Sequence, residues 1–209
     1  MSVKVAVVDY GLGNLHSVVK ALMHAGADVI VADHGAQLAG VDKIVLPGVG
    51  AFSDGMAGLH KAGHVEPLQT AAAAGVPMLG ICLGAQLMLG HSEEFGSTTG
   101  LGIIPGKVVK IPSAGIKVPH VGWARLQPCR PQASENGLFR GMFAHAWMYF
   151  VHSYHMLPDR VEDLAATIRC GEHEITAVVS HKNIHGFQFH PEKSGECGIH
   201  LLNNFVSLP

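Results

Sequence analysis

Short apolar runs alternate with helix-like segments through the first half of the chain. Residues 3–10 (VKVAVVDY) form a valine-rich run that predicts a buried strand, and residues 15–26 (LHSVVKALMHAG) have the apolar spacing of a helix. Further strands are predicted at residues 28–32 and 43–47, followed by a helical pattern over residues 53–74. Strands that alternate with helices indicate an α/β fold with a doubly wound, mainly parallel sheet, whose sites lie at the carboxyl ends of its strands.

The pattern changes after Gly90. Shorter strands joined by turns are predicted at residues 107–111, 146–154, 164–170, 175–180 and 184–190. They indicate an antiparallel extension of the sheet, and residues 198–205 predict a closing helix. We expect residues 128–141 to form a mobile loop. A chain of 209 residues is expected to be a single domain, residues 1–209.

A cysteine stands between an apolar run and a helix-like run in residues 76–89 (VPMLGICLGAQLML). Its Gly-x-Cys-x-Gly frame is typical of a sharp strand-to-helix turn, where two glycines allow a close backbone approach. We therefore predict that Cys82 is a nucleophile and that the positive end of the following helix favours its thiolate. The N–H of Leu83 is expected to be free to bind an oxyanion. For this frame alone, a small buried core cysteine is the alternative.

A histidine and a carboxylate follow an apolar strand in residues 186–192 (GFQFHPE). In an extended chain His190 and Glu192, at i and i+2, point to the same side. His190 can then act as a base toward the nucleophile, while Glu192 fixes the imidazole tautomer and stabilises the imidazolium. Together with Cys82, these residues predict a Cys-His-Glu catalytic triad.

A glycine-rich loop, residues 47–50 (PGVG), follows one of the predicted parallel strands. At the carboxyl end of a strand its N–H groups can supply a second oxyanion donor beside Leu83. The Gly-Val-Gly peptide can turn either a carbonyl or an N–H toward the site, so the loop is also a candidate switch. An ordinary turn is the simpler interpretation of the same residues.

Composition argues against several classes of function. Hydrophobic residues make up 48% and charged residues 14% of the chain, and the formal net charge is −2, so no nucleic-acid partner is expected. Apolar stretches are interrupted well short of a membrane span and no signal-peptide pattern is found, so we expect no membrane association and a cytoplasmic location.

Metal and cofactor sites are not expected either. The cysteines form no C-x-x-C pair, and the histidines show no matching ligand spacing. Residues 11–14 begin like a dinucleotide-binding loop, but His16 stands where the third glycine is needed and no P-loop lysine follows.

Two motifs, GICLGAQL and FQFHPEKSG, resemble those of the class I (triad) glutamine amidotransferases. The likeness spans nearly the whole chain and includes VVDYGLGNLHSV, LPGVGAF, HSEEFGSTTGLGIIPGKV, KVPHVGW and MYFVHSY. These motifs are similar to the histidine-pathway branch of the family, the glutaminase subunits of imidazole glycerol phosphate synthases. Two features depart from the common pattern: Ala85 replaces the usual methionine, and residues 128–145 form a long stretch. Neither touches the triad.

The resemblance implies a glutaminase that hydrolyses L-glutamine to glutamate and ammonia through a thioester on the cysteine of the triad, Cys82, His190 and Glu192. It implies oxyanion elements at Gly48, Val49, Gly50 and Leu83. It implies glutamine contacts at Gln86, Glu94, Ser153 and Tyr154, and partner contacts at Asn14, His120, Trp123, Tyr149 and Lys193. Without the resemblance, Gln86 is more simply a solvated helix residue, Glu94 a loop charge, His152 a strand histidine outside the triad, and the partner contacts ordinary surface residues.

The resemblance also implies a heterodimer with a cyclase subunit, a (β/α)8 barrel. That subunit uses the ammonia to convert PRFAR into imidazole glycerol phosphate and AICAR in histidine biosynthesis. Three alternatives stay open at this point: a glutaminase that serves another amidotransferase, a non-catalytic regulatory module, and a cysteine peptidase on a related scaffold.

Overall fold

The computed structural model describes residues 2–113, 115–129, 137–142 and 146–209. Strands in these residues are β1 (Lys4–Val8), β2 (Asp28–Ala32), β3 (Lys43–Leu46), β4 (Met78–Ile81), β5 (His91–Ser92), β6 (Thr98–Thr99), β7 (Gly106–Lys110), β8 (His120–Arg125), β9 (Gln127–Pro128), β10 (Trp147–His152), β11 (Tyr154–Pro158), β12 (Leu164–Cys170), β13 (His173–His181) and β14 (Ile184–Phe187). The α-helices are α1 (Leu15–His24), α2 (Phe52–Lys61), α3 (Val65–Ala73), α4 (Leu83–Leu87) and α5 (Gly195–Ser207). Much of the loop expected at residues 128–141, namely residues 130–136, lies outside the described residues.

The largest sheet within the described residues has eight strands in the order β2-β1-β3-β4-β14-β13-β12-β9. From β2 to β14 the neighbouring strands are parallel, and β13, β12 and β9 continue the sheet in antiparallel pairs. The predicted doubly wound, mainly parallel sheet with an antiparallel extension is confirmed.

Apolar side chains are buried on both faces of this sheet. On β1, Val5 and Val7 belong to the core cluster that includes residues of α1 and α5, whereas Ala6 and Val8 belong to the cluster with α2, α3 and α4. Because both faces are covered by helices, the strand has a continuous apolar sequence rather than an alternating one. The longest helix, α5, has 13 residues, and no helix among the described residues is long and apolar enough to cross a membrane.

Strand β14 differs from its prediction as part of the antiparallel extension. It pairs antiparallel with β13 but parallel with β4, where Gly186 lies opposite Gly80 and Phe187 opposite Ile81. It is therefore the strand at which the sheet changes direction. As a result, the segment that follows β14 emerges beside the segment that follows β4.

Two other predicted elements are each divided in the structure. The helical pattern at residues 53–74 forms α2 and α3, because Gly63 adopts a φ of 66° and turns the chain between them. The strand predicted at residues 146–154 breaks at Ser153. Strand β10 pairs with β8 in a two-stranded sheet, which the sequence pattern does not predict, and β11 joins a four-stranded sheet in the order β11-β7-β5-β6.

The buried face of α1 provides a test of this packing. Leu22 is fully buried, while its neighbour Met23 is 60% exposed. We expect Leu22→Ala to lower the free energy of unfolding by about 2–5 kcal/mol, because it removes buried methyl groups and leaves a cavity. Met23→Ala is the matched control and should change it by less than about 0.5 kcal/mol. Urea unfolding measures both, and equal effects would contradict the placement of α1.

Candidate active site

The site begins at a strained residue between β4 and α4. Cys82 is the N-cap of α4 and has φ 53° and ψ −111°, a backbone conformation that residues other than glycine rarely adopt. A Cβ on Gly80 would lie 2.5 Å from Ala85 Cα, and one on Gly84 would lie 1.8 Å from the Leu46 carbonyl oxygen. The backbone at both positions lies so close to neighbouring backbone atoms that no side chain would fit, so the turn requires the two glycines of the motif. Helix α4 has only five residues, so its field at the sulfur comes from the N–H groups of its first turn.

A buried histidine–carboxylate pair lies beside this turn. His190 Nδ1 lies 2.9 Å from Glu192 Oε1, and their side chains are only 2% and 1% exposed. Glu192 belongs to a short 3-10 turn (Pro191–Lys193) and not to an extended strand, so the turn, rather than strand alternation, brings it to the imidazole. The carboxylate accepts from Nδ1, which leaves Nε2 as the ring atom that can exchange a proton with a nucleophile.

Two opposing effects act on His190. Burial alone would lower its pKa, but interactions with the side chains of Cys82 and Glu192 outweigh burial and raise the pKa to about 9. At neutral pH the structure therefore favours an imidazolium beside the sulfur of Cys82. The thiol of Cys82, the imidazole of His190 and the carboxylate of Glu192 are thus brought together.

The PGVG loop adopts one of its two possible orientations. The N–H of Leu83 donates to the Gly48 carbonyl at 3.3 Å. It is therefore not free to bind an oxyanion, contrary to the expectation from the sequence. A Cβ on Gly48 would lie 2.1 Å from the Tyr10 hydroxyl oxygen, so a residue with a side chain does not fit at this position. Tyr10 also donates its hydroxyl to the Pro47 carbonyl at 2.8 Å. Burial raises the pKa of Tyr10, with a smaller effect of the charge on Cys82, so its hydroxyl remains a donor.

A cavity of about 280 Å³ opens beside Cys82. Its lining contains Cys82 and most of the oxyanion and glutamine-contact residues that the resemblance implies, together with Pro119, Val151 and His152, but neither His190 nor Gly48. The implied residues in the lining are Val49, Gly50, Leu83, Gln86, Glu94, Ser153 and Tyr154. The volume is close to the lower end of the range for small-molecule sites.

Two polar side chains of the cavity are already engaged by the protein. Glu94 Oε2 accepts from the N–H of Phe52 at 2.7 Å, at the start of α2. Gln86 Nε2 donates to the Tyr154 carbonyl and to Gln188 Oε1, both at 3.0 Å. Both residues keep a second oxygen or a lone pair for a ligand.

Several residues of the site are absent from the sequence-based prediction. Gln188 is fully buried, and its Nε2 lies 3.8 Å from Cys82 Sγ. His152 Nδ1 donates to the Tyr154 carbonyl at 2.8 Å, and burial lowers the pKa of His152 to about 3, so the ring is neutral. Gln188 stands two residues before His190, which is a sign in the sequence that it could lie near the site. A single amide residue beside an apolar strand, however, does not by itself predict a functional role.

The residues implied as partner contacts do not all share one surface. Trp123 and Tyr149 lie side by side across β8 and β10, with ring centroids 6.0 Å apart. His120 lies on the opposite face of β8, where its ring packs 5.7 Å from Phe150 and 5.6 Å from His152. His120 is therefore a half-buried residue behind this surface.

Two further implied contacts flank the site. Asn14 is the N-cap of α1 and makes no side-chain capping hydrogen bond, and Lys193 is exposed directly after Glu192. Among the described residues, no group of three or more His, Cys, Asp or Glu side chains could hold a metal ion.

Residues 6–208 match the family model of the class-I glutamine amidotransferases. This chain belongs to that family. The subunit HisH of imidazole glycerol phosphate synthase from Synechococcus elongatus is 44% identical over 205 residues, which cover 98% of this chain and 93% of that protein. HisH from Moorella thermoacetica is 45% identical over 204 residues, covering 98% and 94%.

Solved structures with low sequence identity share the fold. PurLQS from Thermotoga maritima gives a TM-score of 0.75 at 19% identity over 99% of this chain and 98% of that chain. A glutamine amidotransferase from Thermotoga maritima gives a TM-score of 0.61 at 16% identity over 92% and 77%. At these identities the likeness concerns the amidotransferase fold alone.

The charge on Glu192 provides a test of the site's electrostatics. We expect Glu192→Gln to lower the pKa of His190, because the carboxylate is one of the groups that raise it to about 9. Since the folded-state pKa of His190 is raised, its contribution to stability is complete below about pH 6.5 and is lost as the pH rises through about 9. The loss of unfolding free energy in the variant should be roughly 1–3 kcal/mol near pH 6 and much smaller above about pH 9.

Glu93→Gln is the control for this variant, since it removes the charge from the exposed Glu93–Lys107 ion pair, 2.8 Å long. It should change stability little at either pH. Urea unfolding at both pH values, with the imidazole titration followed by NMR, gives the comparison. An effect of Glu192→Gln that does not depend on pH would contradict the raised pKa.

Proposed function

We propose that this amidotransferase is the glutaminase subunit of an imidazole glycerol phosphate synthase, with residues 1–209 acting as one glutaminase domain. The observation that carries the proposal is the strained Cys82 beside the buried His190–Glu192 pair, at a cavity lined by Gln86 and Glu94. The choice of synthase is supported by the HisH relatives, which are 44–45% identical over nearly the whole chain.

The proposed reaction begins from the ion pair in which the Cys82 proton has moved to Nε2 of His190, giving the imidazolium that the raised pKa favours. The thiolate attacks the side-chain carbonyl carbon of L-glutamine, and the carbonyl oxygen becomes an oxyanion. When this tetrahedral intermediate collapses, the C–N bond breaks and ammonia leaves with the proton from His190. Water, deprotonated by His190, then attacks the γ-glutamyl thioester, and glutamate and the thiol are released. Glu192 keeps Nδ1 protonated throughout, which directs every proton transfer to Nε2.

The glutamine is proposed to lie in the cavity with its amino acid end away from Cys82. Gln86 and Glu94 would bind the α-amino group, and backbone groups at Ser153 and Tyr154 would bind the α-carboxylate. A cavity of about 280 Å³ suits a free amino acid better than a peptide substrate. This favours a glutaminase over a cysteine peptidase.

The orientation of the PGVG loop supports a resting state with low activity. The Gly48 carbonyl occupies the Leu83 N–H, and an oxygen at this place would repel the developing oxyanion. Rotation of the peptide between Gly48 and Val49 would free the Leu83 N–H and turn the Val49 N–H toward the same point. This rotation changes ψ of Gly48 and φ of Val49, and Gly48 tolerates the change because it has no side chain.

An exposed aromatic face supports the proposed partner, a cyclase subunit in a heterodimer. Trp123 and Trp147 are 52% and 51% exposed, and Val121 and Val151 lie on the same face of β8 and β10 as Tyr149. Exposed aromatic residues that cluster in this way are typical of protein–protein contacts. Tyr149 and Val151 belong to β10, and Val151 also lines the cavity, which supports an interface next to the proposed site of ammonia release.

The nucleophile assignment is tested by replacing the sulfur. We expect Cys82→Ala to abolish glutamine hydrolysis, with a loss of at least about 10⁴-fold, because the thioester cannot form. Cys170→Ala is the matched control, since Cys170 is buried in the core and should affect stability more than hydrolysis. Release of glutamate is the measurement, and substantial hydrolysis by Cys82→Ala would refute the triad.

The partner assignment is tested by adding the cognate cyclase subunit and its ligand PRFAR. The isolated chain should have low glutaminase activity. Addition of the cyclase subunit and PRFAR should raise it by about 10²–10³-fold, because one oxyanion donor changes the rate by about that factor. At limiting cyclase concentrations, Trp123→Ala should lose the stimulation, while Met23→Ala on α1 should retain it. A chain that is equally active alone would contradict the switch but not the triad. Stimulation only by the partner of another amidotransferase would change the synthase assignment.

A further inference from the structure

A fully buried glutamine side chain contacts the sulfur of the candidate nucleophile. Gln188 Nε2 lies 3.8 Å from Cys82 Sγ, a normal separation for an N–H donor and the large sulfur atom. Gln188 Oε1 accepts from Gln86 Nε2 at 3.0 Å. Gln188 follows the last residue of β14, so its backbone is fixed by the same sheet that positions Cys82.

The direction of the Gln188 amide is set by its neighbours. The Tyr154 carbonyl can only accept, so the Gln86 atom that contacts it at 3.0 Å must be the NH2 group. That group also contacts Gln188, which must therefore present its oxygen to Gln86 and its NH2 to Cys82. The reversed amide would place two donors against each other and an oxygen against the sulfur, so the hydrogen-bond network permits only one orientation.

We propose that Gln188 is a further catalytic residue, which donates its side-chain N–H to the Cys82 thiolate and stabilises it. The proposal rests on the proposed role of Cys82 as the nucleophile. As a thiol, Cys82 donates to the Val151 carbonyl at 4.0 Å, and Gln188 is then a weak donor to a neutral sulfur. When the proton leaves, the sulfur becomes a charged acceptor, and hydrogen bonds to charged groups are the stronger ones.

The other titratable groups around the sulfur act differently. His190, paired with Glu192, gives up its proton to ammonia during the reaction, so its charge is not constant. Tyr10 interacts with the charge on Cys82 but directs its hydroxyl to the Pro47 carbonyl. His152 is kept neutral by burial. The amide of Gln188 does not titrate, so it can stabilise the thiolate both before attack and when the thioester is hydrolysed and sulfur is the leaving group.

The experiment measures how fast iodoacetamide alkylates Cys82 between about pH 5 and 10, with mass spectrometry used to separate Cys82 from the other cysteines. Gln188→Met keeps the length of the side chain and removes both the donor to Cys82 and the oxygen that accepts from Gln86. Gln86 keeps the Tyr154 carbonyl as its partner. We expect the alkylation rate of the variant to rise at a pH that is higher by roughly half to one unit, and to reach the same plateau at high pH. The kcat for glutamine should fall about tenfold while KM changes less than about twofold.

Gln69→Met is the matched control, since the Gln69 amide donates to the Leu101 carbonyl at 2.8 Å, away from Cys82, and its curve should coincide with the wild type. A Gln188→Met curve that also coincides would overturn the proposal, because a purely structural amide would not shift the curve.

If this variant does not fold, wild-type NMR decides. The Gln188 side-chain N–H resonance should shift at the same pH midpoint as alkylation, and a resonance that does not shift would overturn the proposal. Alkylation requires no glutamine turnover, so failure of the glutaminase assignment would be seen separately.

Discussion

One backbone hydrogen bond joins the two halves of the candidate site. The N–H of Cys82 donates to the Phe187 carbonyl at 2.7 Å and extends the parallel pairing of β4 and β14 into the turn itself. Cys82 and the histidine–carboxylate pair are distant in sequence, and this pairing fixes the register that brings them together. A shift of β14 by one residue would turn each of its side chains to the opposite face of the sheet and move the segment after Phe187 along it.

The same region combines strain with burial. The positive φ of Cys82 costs about 1–3 kcal/mol, and a fold tolerates such a cost only where packing over-determines the conformation. Here the close contacts of Gly80 and Gly84 with α4 and β3 supply that packing. The buried charges of His190 and Glu192 are retained because each stabilises the other. Rigid packing holds the turn in place, so the proposed change of hydrogen bonding is confined to the PGVG loop.

The sequence predicts the sheet and the turn at Cys82 better than it predicts the surroundings of the candidate site. The continuous valine-rich runs and the Gly-x-Cys-x-Gly frame have local causes, burial on both faces and close backbone contact, so they are visible in a short window. The parallel pairing of β14, the break at Ser153 and the inward position of His120 depend on which strands become neighbours. The occupied Leu83 N–H is likewise a tertiary contact. Even the His190–Glu192 pair is predicted for a wrong reason, strand alternation, when a 3-10 turn forms it.

The carbonyl of Tyr154 receives hydrogen bonds from both Gln86 and His152, and through Gln86 it sets the direction of the Gln188 amide. Every amino acid supplies the same main-chain oxygen, so a mutation at this position changes the side chain and leaves that acceptor in place. Substitutions at position 154 therefore leave the orientation of the cavity's polar groups unchanged. Only changes that move the backbone, such as insertions near the break between β10 and β11, would disturb it.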